Sequence, residues 1–302
     1  MMVKNSFLKS MYKNKFIYIS LIPTFALLLT FNYYPAINAL YHSLFEWDGI
    51  GYEKFIGIGN FINLFRDPVF IIALKNVLIL AIAGVSISLT FPLLAAELTF
   101  NLRNLKMQYL YRTMFVVPMV VPGVVGLLLW GFIYRPDGLL NAILERVGLG
   151  NLCRPWLGDF NTALYAIIFI GFPWIGSFNY LIYLAGLQSI SRELFESSII
   201  DGATRLQQIF YIDIPMILGQ VKLILILTII GVMQGYTTQV VLTQGGPGYA
   251  TMVPGMHMYN SAFQYYKMGY GCAIGTFLFG VILILTIISR KYIQAPTEFG
   301  GR

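Results

Sequence analysis

Apolar residues gather into six long runs along this chain, at about 16–34, 69–98, 109–134, 162–187, 216–238 and 269–289. Each is near or above the ~20 residues that a helix needs to cross the hydrocarbon core of a bilayer. The pattern predicts an all-α polytopic membrane protein with six transmembrane helices. The domain plan is an N-terminal tail at 1–15, a transmembrane domain at 16–290 and a C-terminal tail at 291–302. The first run follows Lys4, Lys9, Lys13 and Lys15. It is longer than the ~7–15 apolar residues of a signal peptide, and it ends in Asn32, Tyr33, Tyr34 and Pro35, so it reads as a retained span. In the polar-aromatic interval 35–67, Phe61, Leu64 and Phe65 are placed to lie along a membrane surface. Asp67-Pro68 forms an N-cap and first-turn pair for the second span. Pro92, Pro118, Pro122 and Pro173 fall inside spans, where they either bend helices for packing or open a gated cavity. The interval 243–267 is a Gly/aromatic loop. Gly271 and Gly275 give the last span a small-residue packing face.

The longest polar interval, 188–215, is too structured for a plain linker. Ser191 is placed as an N-cap before the helix formers of 192–200. Asp201-Gly202 reads as a turn, with Gly202 free to take the left-handed conformation. Residues 204–214 read as a second short helix with Leu206, Ile209, Phe210 and Ile214 on its apolar side. Pro215 suits the first turn of the next helix. The interval is therefore a helix–turn–helix knuckle between two spans. By residue type alone it reads equally as an ordinary amphipathic loop.

Composition narrows the class. The chain is 57% hydrophobic and 11% charged, against about 25% charged in soluble domains. Its net charge of +7 is distributed by side of the membrane and is not a nucleic-acid footprint. One side collects both termini, Arg103, Lys106, Arg112, Arg192, Arg205, Arg290 and Lys291. The other carries Lys54, Arg66, Arg135, Arg146 and Arg154, matched by acids. The positive-inside rule then puts both termini and the knuckle in the cytoplasm. The two cysteines, Cys153 and Cys272, are far apart and suggest neither a disulfide nor a metal.

The spans carry no ionisable group at mid-depth, where ion-driven carriers place one. Glu97, Lys75 and Lys222 sit near span ends, as snorkelling side chains do. His42 and His257 are isolated. No phosphate-binding loop, H-E-x-x-H motif or nucleophile elbow occurs. This chemistry argues against an enzyme and for a pathway whose energy comes from another subunit.

The knuckle carries Glu196-Ser197-Ser198, then Asp201-Gly202-Ala203, then Ile212-Asp213-Ile214-Pro215. This spacing resembles the cytoplasmic coupling loop of ABC importer permeases, with Ser for two Ala and Ile214 for Leu. Gly59-Asn60-Phe61 through Asn76 resembles the entry to the second span in sugar-importer permeases. Leu242-Thr243-Gln244-Gly245-Gly246-Pro247 through Gly269-Tyr270 resembles the last loop and span entry of the same group. The resemblance covers nearly the whole chain and points to the maltose-importer-like carbohydrate class, first-permease type. It implies a type I ABC importer permease fold in a prokaryotic inner membrane, with a cytoplasmic coupling helix. Glu196, Ser197, Ser198, Asp201, Gly202, Ala203, Ile214 and Pro215 would contact an ATPase. The implied partners are a second permease, two ATPase subunits holding ATP and Mg, an extracytoplasmic solute-binding protein, a carbohydrate substrate and membrane lipid. No cofactor is expected on this chain itself.

A sugar site needs flat aromatic faces with amide or hydroxyl groups. Trp174, Asn179, Tyr180, Tyr183, Gln234 and Tyr236 are the candidates, although the same residue types serve as interface anchors and helix glue. Alternative readings are a permease of the same family for a polyol or glycerophosphate, or a self-contained channel or secondary carrier. The charge asymmetry makes one direct prediction. Cysteines placed at Leu8 and Glu298 resist a membrane-impermeant thiol reagent in intact cells, and labelling of either from outside refutes the six-span topology.

Overall fold

The computed structural model describes residues 14–292, so most of both tails, with Lys4, Lys9, Lys13 and Arg302, lies outside the described residues. The elements run in order as α1 (Lys15–His42), a hairpin of β1 (Phe45–Trp47) and β2 (Glu53–Phe55), α2 (Gly59–Arg66), α3 (Pro68–Phe100), α4 (Leu105–Val116), α5 (Gly123–Ile133) and α6 (Leu139–Arg146). They continue as α7 (Ala163–Phe169), α8 (Ser177–Gln188), α9 (Arg192–Ile200), α10 (Arg205–Met216), α11 (Leu218–Gln234), α12 (Thr237–Leu242), α13 (Pro254–Tyr259) and α14 (Met268–Tyr292). The chain divides into two units, residues 1–64 with 258–276, and residues 65–257 with 277–302.

Among the described residues three helices are long and apolar enough to cross a membrane, namely α1, α3 and α14. The number rises to five if α4–α5, bent by 94°, and α10–α11, bent by 66°, each count as one crossing. Three expected spans are therefore not straight helices, the run at 216–238 being interrupted at Gly235–Tyr236 between α11 and α12. The run at 109–134 breaks after the 3-10 turn Val117–Val120, where Pro118 and Pro122 supply no N–H to the ladder. The run at 162–187 divides into α7, of 7 residues, and α8, of 12. The intervening 170–176 holds Pro173 and a left-handed Trp174 at φ 59°. The first helix is longer than the apolar run implies, because Pro35 enters it near the start of a new turn at Tyr34–His42 and fits there.

In the first unit, the hairpin sets Glu46 opposite Lys54, an opposite-charge cross-strand pair. Asp48 Oδ1 accepts from the N–H groups of Ile50, Gly51 and Tyr52 at 2.9–3.1 Å. Those bonds, Ile50's first, hold its carboxyl below the usual carboxylate range. His42 stacks on Trp47 at 4.0 Å and lies 3.6 Å from Glu53, so it is not isolated. Asn60 donates to the carbonyls of Ser43 and Phe45 at 2.9 and 2.8 Å and fastens the hairpin base. A Cβ on Gly271 would come within 2.9 Å of the Ala262 Cβ, which is the close packing the small-residue face implies. None of the first two turns of α1, nor any residue of its Lys15–Leu28 segment, is buried. An apolar helix left this bare is covered by lipid or by another chain.

In the second unit, α3 is the central rod. Asp67 caps it, accepting from Val69 N at 2.9 Å and Phe70 N at 3.4 Å, as Asp67-Pro68 predicts. Helices α8 and α11 pack along α3. Their shared core contains Ala95, Ala96, Tyr180, Tyr183, Leu184, Leu187, Ile217 and Ile224. The Gly/aromatic segment is not an open loop over 243–257. Residues Thr251 to His257 are buried, and His257 Nε2 lies 2.8 Å from Asp67 Oδ2. Burial is possible because side chains satisfy the irregular backbone. Asn76 donates to the carbonyls of Tyr249 and Met252 at 3.2 and 2.9 Å, and Thr251 donates to Gly246 O at 2.8 Å. Asn76→Ala removes the side-chain donor from the buried Met252 carbonyl and one of two donors from that of Tyr249. Its expected cost is about 1–3 kcal/mol, read as a lower unfolding temperature of the detergent-solubilised protein, while Asn161→Ala on the surface leaves that temperature unchanged.

Candidate functional site

The knuckle is built from its caps inward. Ser191 holds the extended N-cap backbone of α9, but its side chain makes no capping bond. Glu193, and not Glu196, stands in the first turn, where a carboxylate favours the helix dipole. At the other end the chain closes in a Schellman motif. Ala203 N–H bonds Ser198 O at 2.9 Å, and Gly202 N–H bonds Ile199 O at 3.0 Å. Gly202 adopts φ +76°, the left-handed conformation its position predicts, with open space where a Cβ would stand. Thr204 then starts α10 with a full capping box to Gln207. These two stops, one residue apart, fix the angle between the short helices.

The interior of the knuckle is polar. Gln208 Nε2 donates to Ser198 Oγ at 2.8 Å across the turn. Arg205 Nη1 donates to Gln208 Oε1 at 3.1 Å. Arg205 Nη2 bridges two carboxylates, Asp213 Oδ2 at 2.7 Å and Glu97 Oε2 at 3.1 Å. The guanidinium also lies over the Phe195 ring at 5.8 Å, within cation–π range. Glu97 and Asp213 are buried, 5% and 0% exposed. Glu97 therefore does not snorkel, since an inward cation is available to it. The apolar residues face out instead. Ile199, Ile200, Leu206, Phe210 and Tyr211 are exposed, between 63% and 86%. Leu206 and Phe210, expected on a packed side, belong to this outer crown because Gln208 and Asp213 occupy the inner side.

The residues singled out from the sequence fall in two layers. Glu196, Ser197, Asp201 and Gly202 are exposed on the crown. Ala203, Ile214 and Pro215 are half-buried, and Ser198 is buried in the frame. Ser198, Asp201, Gly202, Ala203, Tyr211 and neighbours line a hollow of about 360 Å³. Arg205 and Gln208 were outside the expected set, as were Glu97 and Asp213 as its partners. Only an arginine and an inward acid at matching depths could have signalled them.

Two further hollows lie along α3. One, of about 380 Å³, is lined by Gly84, Ser88, Trp174, Tyr236, Gln239 and neighbours. The other, of about 470 Å³, shares Ser88 and Trp174 and adds Pro92, Met119 and Asn179. Trp174 is held edge-on by Phe91 at 4.9 Å and Phe169 at 5.2 Å, with Nε1 donating to Ile168 O at 3.1 Å. Pro92 has no N–H to offer the Ser88 carbonyl one turn before it, and Ser88 lines both hollows. Of the six candidates, Trp174, Tyr236 and Asn179 line these hollows. Tyr180 and Tyr183 do not; both are fully buried in the α3–α8–α11 core. Gln234 is exposed at the end of α11 and lines neither hollow.

Comparison with known proteins agrees with this architecture. The family model for the binding-protein-dependent transport system inner membrane component matches residues 88–295. The probable ABC transporter permease protein YurN of Bacillus subtilis is 35% identical over 289 residues, covering 95% of this chain and 99% of that one. The lactose transport system permease protein LacF of Rhizobium radiobacter is 31% identical over 281 residues, covering 91% and 92%. Among solved structures, a chain of a bacterial alginate ABC transporter in complex with alginate pentasaccharide-bound periplasmic protein has the same fold. Its TM-score is 0.84 at 24% identity, over 95% of this chain and 98% of that one.

Proposed function

The chain belongs to the inner membrane component family of binding-protein-dependent transport systems, and from that premise we propose that it is a permease subunit of an ATP-driven sugar importer. The solute would be a sugar or oligosaccharide delivered by an extracytoplasmic binding protein, as the lactose-transport relative's name suggests. A second permease would complete the translocation path, and two ATPase subunits would hold the ATP and Mg. In this reading the apolar runs make six crossings, with the broken helices α4–α5 and α7–α8 each passing through once. Both termini and the knuckle are cytoplasmic, and the knuckle is the coupling element. The observation that carries the proposal is the exposed apolar crown of Ile199, Ile200, Leu206, Phe210 and Tyr211 on a hydrogen-bonded polar frame. Such a surface buries favourably only against a partner.

Gly202→Val tests the coupling. The substitution strains a left-handed residue by roughly 1–2 kcal/mol and puts bulk on the crown, while its Cβ meets no neighbouring atom. The expected outcome is normal membrane level, lost uptake and weaker co-purification of the ATPase. Gly280→Ala is the control, because its Cβ position is open, unlike that of Gly271. Full uptake together with full ATPase retention in Gly202→Val removes the coupling role.

The cavity generates a second test. Trp174→Ala and Tyr236→Ala reduce uptake by roughly three- to tenfold, the size of a lost aromatic contact, with ATPase retention unchanged. Tyr180→Ala and Tyr183→Ala act instead through stability, at about 3–5 kcal/mol for an emptied aromatic core site. Normal uptake in both cavity variants would place the sugar path elsewhere.

A further inference from the structure

The polar frame of the knuckle reaches past the knuckle. Arg205 stands at the start of α10 and Glu97 near the end of α3, 108 residues apart in sequence, yet Nη2 and Oε2 are 3.1 Å apart. The same nitrogen holds Asp213, which lies on α10 itself, at 2.7 Å. Asp213 therefore fixes the arginine to its own helix, and Glu97 fixes it to α3. Helix α3 is also the common wall of both hollows, through Ser88 in each. Ser88 lies roughly 13 Å along the α3 axis from Glu97. Gln108 adds a weaker tie at the same end, donating to Thr99 O at 3.3 Å.

We propose that Arg205 is a positioning residue that makes α3 follow the knuckle, so that displacement of the α9–α10 crown is delivered to the cavity wall at Ser88. The crown supplies the contact with a partner and the turn at Gly202 supplies its angle. The Arg205–Glu97 bond turns a movement of α10 into a pull on one end of a continuous helix. Without it, the α9–α10 pair keeps only non-directional apolar contact with α3, such as Phe195 against Phe100, and the path through α11 across the 66° bend after Met216. The inference rests on the reading of the knuckle as the ATPase-facing element.

A purely structural cluster and a linkage respond differently when all the charge is removed. Breaking one partner of a buried ion network destabilises, whereas replacing the whole network by apolar residues of similar volume is often without cost. The test uses the assembled transporter in proteoliposomes, with Cys153 and Cys272 replaced by Ser and a single Ser88→Cys. The rate of reaction of that cysteine with a trimethylammonium methanethiosulfonate reagent is measured without nucleotide and after trapping with ATP and vanadate. The unmodified triad is expected to give a rate change on the order of fivefold or more, the scale of ordinary site-to-site coupling. Arg205→Gln alone loses both thermal stability and the rate change. The triple variant Glu97→Met, Arg205→Met, Asp213→Leu regains the unfolding temperature and still binds the ATPase, but the rate change stays absent. Asp213→Asn, which keeps the Arg205–Glu97 bond, retains the change. A full rate change in the triple variant overturns the proposal, as does its absence from the unmodified triad. Loss of the change in Asp213→Asn overturns it however the triple variant folds. Failure of the unmodified chain to hold an ATPase would instead defeat the functional reading beneath it.

Discussion

Inside a bilayer every backbone N–H and C=O has only protein, or a wet cavity, to bond to, and that requirement organises this chain. Helices α1, α3 and α14 meet it by being continuous. The other apolar runs break, and the breaks are not scattered. Met119 from the α4–α5 junction, Gly171 and Trp174 from the α7–α8 junction, and Tyr236 from the α11–α12 junction all come to the two hollows beside α3. Irregular backbone is tolerable there because water or a polyhydroxylated solute can take the bonds that the ladder gives up. The same requirement explains the buried return at 251–257. That segment could not leave water without Asn76 and Thr251, which meet carbonyls that no helix serves.

Placing the breaks along one wall has a mechanical corollary. A continuous helix transmits displacement along its axis, whereas a bend between helices absorbs part of it. Helix α3 is the longest continuous element, at 33 residues, and both α8 and α11 pack on it. Its packing is close because glycines admit neighbours. A Cβ on Gly84 of α3 would come within 3.1 Å of Val232 on α11, and between its two neighbours one on Gly186 of α8 would come within 2.9 Å of Gln220 on α11. The rod and the broken helices thus differ in what they do: the breaks line the two hollows, and α3 runs from them to Glu97 beside the knuckle.

The features legible in the sequence are those carried by neighbouring residues. Asp67-Pro68 states a helix start, Asp201-Gly202 states a turn, and a long uninterrupted apolar run states α3 or α14. Contacts between distant residues left no such trace. Glu97 looks like a snorkelling end residue because no cation stands within a helical turn of it in sequence; its partner arrives from 108 residues away. Hydropathy also averaged over Pro122 and Pro173, since a proline interrupts hydrogen bonding without making a segment polar. The aromatic candidates divided for a similar reason. Tyr180 and Trp174 are alike in chemistry, but small residues Ala95 and Ala96 on α3 make room for the tyrosine in a core, whereas the backbone break at 170–176 turns the tryptophan to a cavity edge.

The inverted knuckle follows from what each kind of interaction can do. Apolar contact is non-directional and stabilises at about 25 cal/mol per Å² buried, so an apolar interior would hold two short helices together while letting them slide. Hydrogen bonds and ion pairs cost more to bury, but they specify geometry. Ser198, Gln208, Arg205 and Asp213 fix the helix pair from within. This leaves Ile200, Phe210 and Tyr211 facing outward with their apolar area unspent. A rigid frame carrying an unsatisfied apolar surface loses little conformational freedom when that surface is covered. Force applied to the crown is then passed on rather than dissipated in rearrangement of the frame. The polar interior is thus the physical condition for a rigid helix pair that keeps its apolar surface on the outside.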